Sequence, residues 1–203
     1  MGEHMKHGLV MAGALFALTG AAAAQEVPAQ PWVGPEVTLQ TTMGDIVITL
    51  DTVGAPKTAA QFLGLVKSGH YDGAAFYRVD PGFVLQLGDL DARGDYREPK
   101  LPPIPLETET NRHTLGAVAM AHADDPGSGQ STIYIDMGDN PHLNATPGAA
   151  PNTTGYAAFG HVTLGMAVAE EIQKVELAPE GGPFPGKQPK VPIVVKKALV
   201  TKE

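Results

Sequence analysis

Most residues able to do chemistry in this 203-residue chain lack the spacing that their chemistry needs. Ser68, Ser128 and Ser131 are its serines, and none sits in the G-x-S-x-G bend that exposes a serine nucleophile. There is no cysteine, which removes thiol catalysis, disulfides and cysteine-bound zinc. Gly181 to Lys187 has the spacing of a phosphate loop. However, Gln188 stands where a hydroxyl is needed, and Pro189 blocks the helix whose N-terminus would hold the phosphate. The seven histidines contain no H-x-x-x-H pair, so they read as scattered surface residues and no metal or other cofactor is expected. What survives is Phe76-Tyr77-Arg78-Val79, then Pro81-Gly82-Phe83-Val84-Leu85-Gln86, then Gly88-Asp89. Taken singly, Arg78 is a surface ion-pair residue and Phe83 a core residue. Together they bring a fixed cation, a side-chain amide and apolar surface into one short run.

Such residues work only if a rigid element aims them. Val37 to Asp51 reads as a hairpin: Val37, Leu39 and Thr41 alternate with polar partners, Met43-Gly44 turns the chain, and Ile46, Ile48 and Leu50 alternate again. Ala55 to Lys67 reads as a helix, with Pro56 in its first turn, Ala59, Phe62, Leu63 and Val66 at helical spacing, and Gly69 ending it. Strands are predicted at 76–79, 83–87, 115–122, 132–136, 156–162 and 191–200, and a second helix at 166–175. Long loops rich in Gly and Pro fill 90–113, 138–155 and 178–190. Many short strands, two helices and long loops imply a mainly β protein, a closed antiparallel barrel capped by two helices.

Further motifs continue the surviving run: Met120-Ala121, Ser131-Thr132-Ile133-Tyr134-Ile135, Asp139-Asn140-Pro141, Leu143, and Gly155-Tyr156-Ala157-Ala158-Phe159-Gly160. In order and spacing the whole set resembles the cyclophilin family, in particular its bacterial periplasmic branch, from about Val37 to Val200. The F-x-R-x-x-x-G-F-x-x-Q-x-G-D run is its most specific part. The resemblance implies an eight-stranded antiparallel barrel with two capping helices and peptidyl-prolyl cis-trans isomerisation without cofactor or covalent intermediate. By position it implies Arg78 as the catalytic arginine and Gln86 as the group orienting the substrate backbone. It also implies Phe83 as the floor of a proline pocket bordered by Val84, Ala121 and His122 as the peptide-binding strand, and Tyr134, Leu143 and Tyr156 as pocket residues. Thr132 stands where the family usually has Gln, His122 where it has Asn, His142 where it has Trp or Phe, and Leu87 for the first glycine of Q-G-G-D. Period-two alternation sends Ile133 and Ile135 to the barrel interior and Thr132 and Tyr134 to the groove.

That activity suits the residue types. Rotation about an X–Pro bond crosses a barrier of ~18–20 kcal/mol because amide resonance is broken. A slot for the ring and a donor such as Arg78, aimed at the prolyl nitrogen as it becomes pyramidal, lower that barrier without a nucleophile. Two other readings compete: a proline-peptide-binding module or holdase with little catalysis, and a ligand-carrying barrel, disfavoured because Val118, Met120, Ile133 and Ile135 would fill its interior.

Compartment and partners are read from the remainder. Lys6 and His7, the apolar run from Gly8 to Ala24, and Ala22-Ala23-Ala24 before Gln25 follow the order of a cleavable secretory signal. The organisation expected is a signal peptide over 1–24, a Pro-rich linker over 25–35 and an isomerase domain over 36–203. The protein is then periplasmic or secreted, without stable membrane insertion after cleavage. A net charge of −8 with no basic stripe argues against nucleic acid as a partner. Proline-containing polypeptides are the expected partners, and a monomer the expected state.

Overall fold

The computed structural model describes residues 33–203 apart from Asn111, so the expected signal segment and most of the linker lie outside the described residues. The strands are β1 (Glu36–Thr41), β2 (Gly44–Leu50), β3 (Ala74–Asp80), β4 (Val84–Asp91), β5 (Ala117–Met120), β6 (Ile133–Asp136), β7 (Ala157–Leu164) and β8 (Val195–Lys202). Helix α1 (Pro56–Lys67) follows β2, and α2 (Met166–Ile172) follows β7. The strands form one antiparallel sheet in the order β3-β4-β6-β5-β7-β2-β1-β8, curled into a half-barrel. Its two outer strands approach each other at an Ala75–Val194 bridge, where Phe76 N–H donates to Ile193 O at 2.9 Å and Gly73 N–H to Val195 O at 2.7 Å.

The period-two patterns bury one face of nearly every strand. Val37 and Leu39, Ile46 and Ile48, Leu85 and Leu87, Val118 and Met120, Ile133 and Ile135, and Phe159 meet in one core with Phe62 and Leu65 of α1. Val118, Met120, Ile133 and Ile135 are all part of this core, which counts against the ligand-barrel reading. The β1–β2 turn is made by Thr42-Met43, one residue earlier than the sequence suggested. Thr41 Oγ1 accepts from Met43 N–H there, and Gly44 already begins β2.

Helix α1 ends as Gly69 predicts. Gly69 takes φ 74°, its N–H donates to Val66 O, and His70 N–H reaches back to Leu65 O, the double bond of a Schellman cap. At its start, Ala55 offers no side-chain cap. Glu107 from the long β4–β5 loop supplies one, accepting from Lys57 N–H, Thr58 N–H and the Thr58 hydroxyl. Among the described residues the expectation of scattered surface histidines holds for the exposed His142 and fails for the others. His70 and His113 are buried, and His122 and His161 direct both ring nitrogens at polar partners. His113, His122 and His161 each place ring nitrogens against backbone carbonyls.

Candidate active site

Four neighbouring strands, β4, β6, β5 and β7, present a second face away from the core. Register aligns Gln86 with Tyr134, Tyr134 with Ala119, and Ala119 with Ala158 in one row across them. The two alanines leave a depression between larger neighbours. Val84, Ala119, Tyr134 and Ala158 form its buried floor, and Phe83, Ala121, Leu143 and Tyr156 pack around it. The result is an apolar slot. Ile133 and Ile135 point into the core and Tyr134 out of it, as alternation requires.

One edge of the slot is polar. In β3 the register passes from Phe76–Leu87 to Arg78–Gln86, so Tyr77 is an extra residue opposite the partner strand, a β-bulge. The bulge sends Tyr77 and Arg78 to the same side, where simple alternation would have separated them. Arg78 Nη1 donates to Gln86 Oε1 at 3.3 Å and Nη2 pairs with Asp80 at 3.2 Å. Gln86 Nε2 donates to Tyr77 Oη at 3.0 Å, and the Tyr77 hydroxyl points to Thr132 Oγ1 at 3.5 Å. Thr132 donates onward to Asp89, which also accepts from Ser131. This chain fixes which end of the Gln86 amide faces Arg78. It also commits the Thr132 hydroxyl within the wall. Glycine is needed at 88: at φ 132° a Cβ there would come within 2.6 Å of Ser131 O.

Of the remaining expected residues, Leu143 lies in a short 3-10 turn, Pro141–Leu143, and is tied to the slot by Tyr156 N–H donating to Leu143 O at 3.0 Å. His142 on that turn is exposed and stacks on Phe83, with ring centroids 5.4 Å apart. His122 stacks on Tyr156 at 4.5 Å while its ring nitrogens face Ala123 O and Gly155 O. Tyr134 meets Tyr156 edge-on at 5.9 Å. All eleven expected residues therefore gather on one face.

Sequence reasoning missed what stands behind the slot. His113 and Asp136, both fully buried, pair at 2.9 Å. His113 Nε2 meets Tyr156 O at 3.1 Å, and Asn140 Nδ2 donates to Asp136 at 2.7 Å and to Phe83 O at 3.0 Å. The network thus holds the backbone of two slot residues. Asp139-Asn140 in the motif was the available signal for it. Phe184, on the loop between α2 and β8, was missed as well: its ring centroid lies 4.5 Å from Arg78 Cζ. A cavity of about 820 Å³ adjoins the slot on the Arg78 side, lined by Tyr77, Gln86, Thr132, Ala121, His122 and Phe184 among others.

Burial, with Asp136 and Tyr156 nearby, pushes the Tyr134 hydroxyl well above the usual tyrosine range. Burial likewise raises Tyr77, so both remain hydroxyl donors at neutral pH.

An apolar slot, an anchored arginine beside it and a curled antiparallel half-barrel with two helices define the cyclophilin class. Residues 36–200 match the family described as cyclophilin type peptidyl-prolyl cis-trans isomerase/CLD. The chain belongs to that family. It is 38% identical over 167 residues to the peptidyl-prolyl cis-trans isomerase cyp18 of Streptomyces antibioticus, covering 81% of this chain and 97% of that protein. It is 33% identical over 168 residues to peptidyl-prolyl cis-trans isomerase A of Dickeya dadantii, covering 82% and 85%. In fold it is similar to a cyclophilin from Cryptosporidium parvum crystallised in the presence of the dipeptide ala-pro, with TM-score 0.65, 20% identity, and 83% and 99% of the two chains covered. The cyclophilin AquaCyp293 of Hirschia baltica gives TM-score 0.64 at 22% identity, with 81% and 73% covered.

Proposed function

We propose that this isomerase holds the proline ring of an extended peptide in the slot formed by Phe83, Val84, Tyr134, Leu143 and Tyr156. Arg78 donates to the prolyl nitrogen as the amide twists, and Gln86 orients the substrate backbone. Ala121 and His122 line the peptide path, with Thr132 and His142 at its borders. The observation that carries this reading is the guanidinium of Arg78, anchored by Gln86 and Asp80 and 5.2 Å from the centre of the Phe83 ring. A donor fixed before the reaction stabilises charge that develops only in the transition state, so it raises turnover more than binding.

Arg78→Ala tests the assignment. It should lower kcat/KM on a short X–Pro peptide by at least ~10-fold, equivalent to ~1.4 kcal/mol of transition-state stabilisation, with the far-ultraviolet spectrum unchanged. Undiminished turnover by the folded variant rejects the role, and a wholly inactive wild type would favour the binding-module alternative.

The same reading extends to the molecule's setting. The barrel is taken as closed between β3 and β8, supported by the Ala75–Val194 bridge. The chain is taken as an exported monomer of the bacterial periplasmic branch that assists folding of other exported proteins. Support comes from the signal-like order of 1–24, from Tyr156 at its slot position, and from a groove built by one chain. Sequencing of the mature N-terminus checks export: it should begin near Gln25, and a chain retaining Gly8–Leu18 would reject it.

A further inference from the structure

The loop joining α2 to β8 reads in the sequence as a plain Pro/Gly connection, yet it is strapped onto the catalytic edge. Val79 N–H of β3 donates to Lys187 O at 2.7 Å, and Lys187 Nζ pairs with Asp80 at 2.6 Å. Lys187 N–H closes a turn on Phe184 O at 3.0 Å. At its base the loop pairs with itself through Ala178 N–H to Gln188 O at 2.8 Å. Phe184 is therefore fixed in place. Its ring lies parallel to that of Tyr77, 7° between planes and 6.4 Å between centroids. The Arg78 guanidinium sits between two aromatic rings, 4.5 Å from Phe184 and 5.2 Å from Phe83. Arg78 Nε is buried without a hydrogen-bond partner, so its immobility there depends on the rings and on the Nη contacts.

We propose that Phe184 is a positioning residue for Arg78, holding the guanidinium plane at the angle from which it reaches the twisting amide. The inference rests on the assignment of Arg78 above. An arginine side chain has many rotamers, and each must be given up before it can act. A ring stacked on a guanidinium face restrains the plane and leaves its edge donors available. Asp80, whose other carboxylate oxygen pairs with Lys187, grips the guanidinium at its Nη2 edge and not on its face. Tyr77, set beside Arg78 by the bulge, gives Phe184 a flat surface to lie against.

The test compares wild type, Phe184→Ala, Phe184→Leu, Phe184→Tyr, Arg78→Ala and the double variant Arg78→Ala/Phe184→Ala on one short X–Pro peptide. kcat and KM come from exchange NMR, and folding from circular dichroism. Phe184→Ala should lower kcat about three- to ten-fold with KM within about two-fold, the size expected of a partly desolvated cation–π contact. Phe184→Leu keeps apolar bulk without an aromatic face and should behave like Phe184→Ala. Phe184→Tyr should recover wild-type kcat. On the Arg78→Ala background, loss of Phe184 should change kcat less than about two-fold, since positioning has no object once the guanidinium is gone. The Arg78 Nε–H resonance should broaden or exchange faster in Phe184→Ala than in wild type. Wild-type kcat in Phe184→Ala, beside an impaired Arg78→Ala, overturns the proposal alone. So does an equal loss on both backgrounds, which would mean that Phe184 acts through the peptide or the fold. A fully active Arg78→Ala overturns the assignment of Arg78 and the proposal with it.

Discussion

Tyr134 carries a hydroxyl into a slot otherwise floored by methyl groups and a valine, and that hydroxyl is buried with no protein partner. Its ring is committed on two sides, stacked on His113 at 5.9 Å and edge-on to Tyr156 at the same distance, so it cannot swing out to solvent. An unsatisfied buried hydroxyl costs about 1–3 kcal/mol, while the ring itself supplies the slot wall. Tyr134→Phe should therefore stabilise the fold by about 1 kcal/mol and leave kcat/KM within about three-fold. Urea titration and a peptide assay on the same preparation check both parts. Destabilisation would mean that the hydroxyl has a partner the slot geometry does not provide. The neighbouring carboxylate shows the contrasting case. Asp89 takes hydroxyl donors from Ser131 and Thr132, one on each carboxylate oxygen, and so ties the start of β6 to β4.

Between elements, the loops hold as much of the site as the strands do. The β4–β5 loop caps α1 through Glu107, whose carboxylate stands at the positive end of the helix and accepts three hydrogen bonds there. Glu107→Ala should cost about 1–2 kcal/mol, the range of a lost N-cap, with kcat/KM within about three-fold of wild type because the bonds of Glu107 go to Lys57 and Thr58 and to no slot residue. A thermal melt and a peptide assay check it, and unaltered stability would show that water replaces Glu107 at no cost. This cap also shows where the sequence stops being legible. Alternation at Ile133–Tyr134–Ile135, helical spacing at Ala59, Phe62 and Val66, and Gly69 after α1 are local patterns, and the structure follows them. Glu107 and Thr58 are far apart in the chain, and nothing local marks either as the other's partner. The bulge at Tyr77 is equally silent, because it arises from pairing with β4 rather than from a glycine or proline in β3. Most slot residues were readable because they belong to a series of short motifs whose order and spacing resemble one family, whereas His113, Asp136 and Phe184 reach the slot only through the fold.

Across the whole molecule, the net charge of −8 keeps the surface acidic, and the titrations that matter to stability are those of buried groups. His70, just past the α1 cap, is buried, and its Nε2 has no hydrogen-bond partner. Burial, followed by the charge of Arg97, lowers its pKa below the ordinary histidine value, against smaller opposing effects of Asp89 and the Gly88 carbonyl. The folded state thus prefers the neutral ring, while the unfolded chain takes up a proton near pH 6.5. Stability rises with pH wherever the unfolded state binds more protons. His70 should therefore contribute no pH dependence above about pH 7.5, subtract stability as the pH falls through 6.5 toward its lowered folded value, and level off below that. Carboxylates titrate in the acid range too: Asp72, where burial is outweighed by its bonds to Lys197 and the Ala198 N–H, loses its stabilising charge only at lower pH. Subtracting a His70→Gln variant removes that shared background. The difference in unfolding free energy, wild type minus variant, should decline as the pH drops from 7.5 to 5, read from urea midpoints at half-unit steps. A difference that stays constant across this window would place the His70 ring in solvent-like surroundings, and one that grows toward acid would mean that the folded state protonates it more readily than the unfolded chain does.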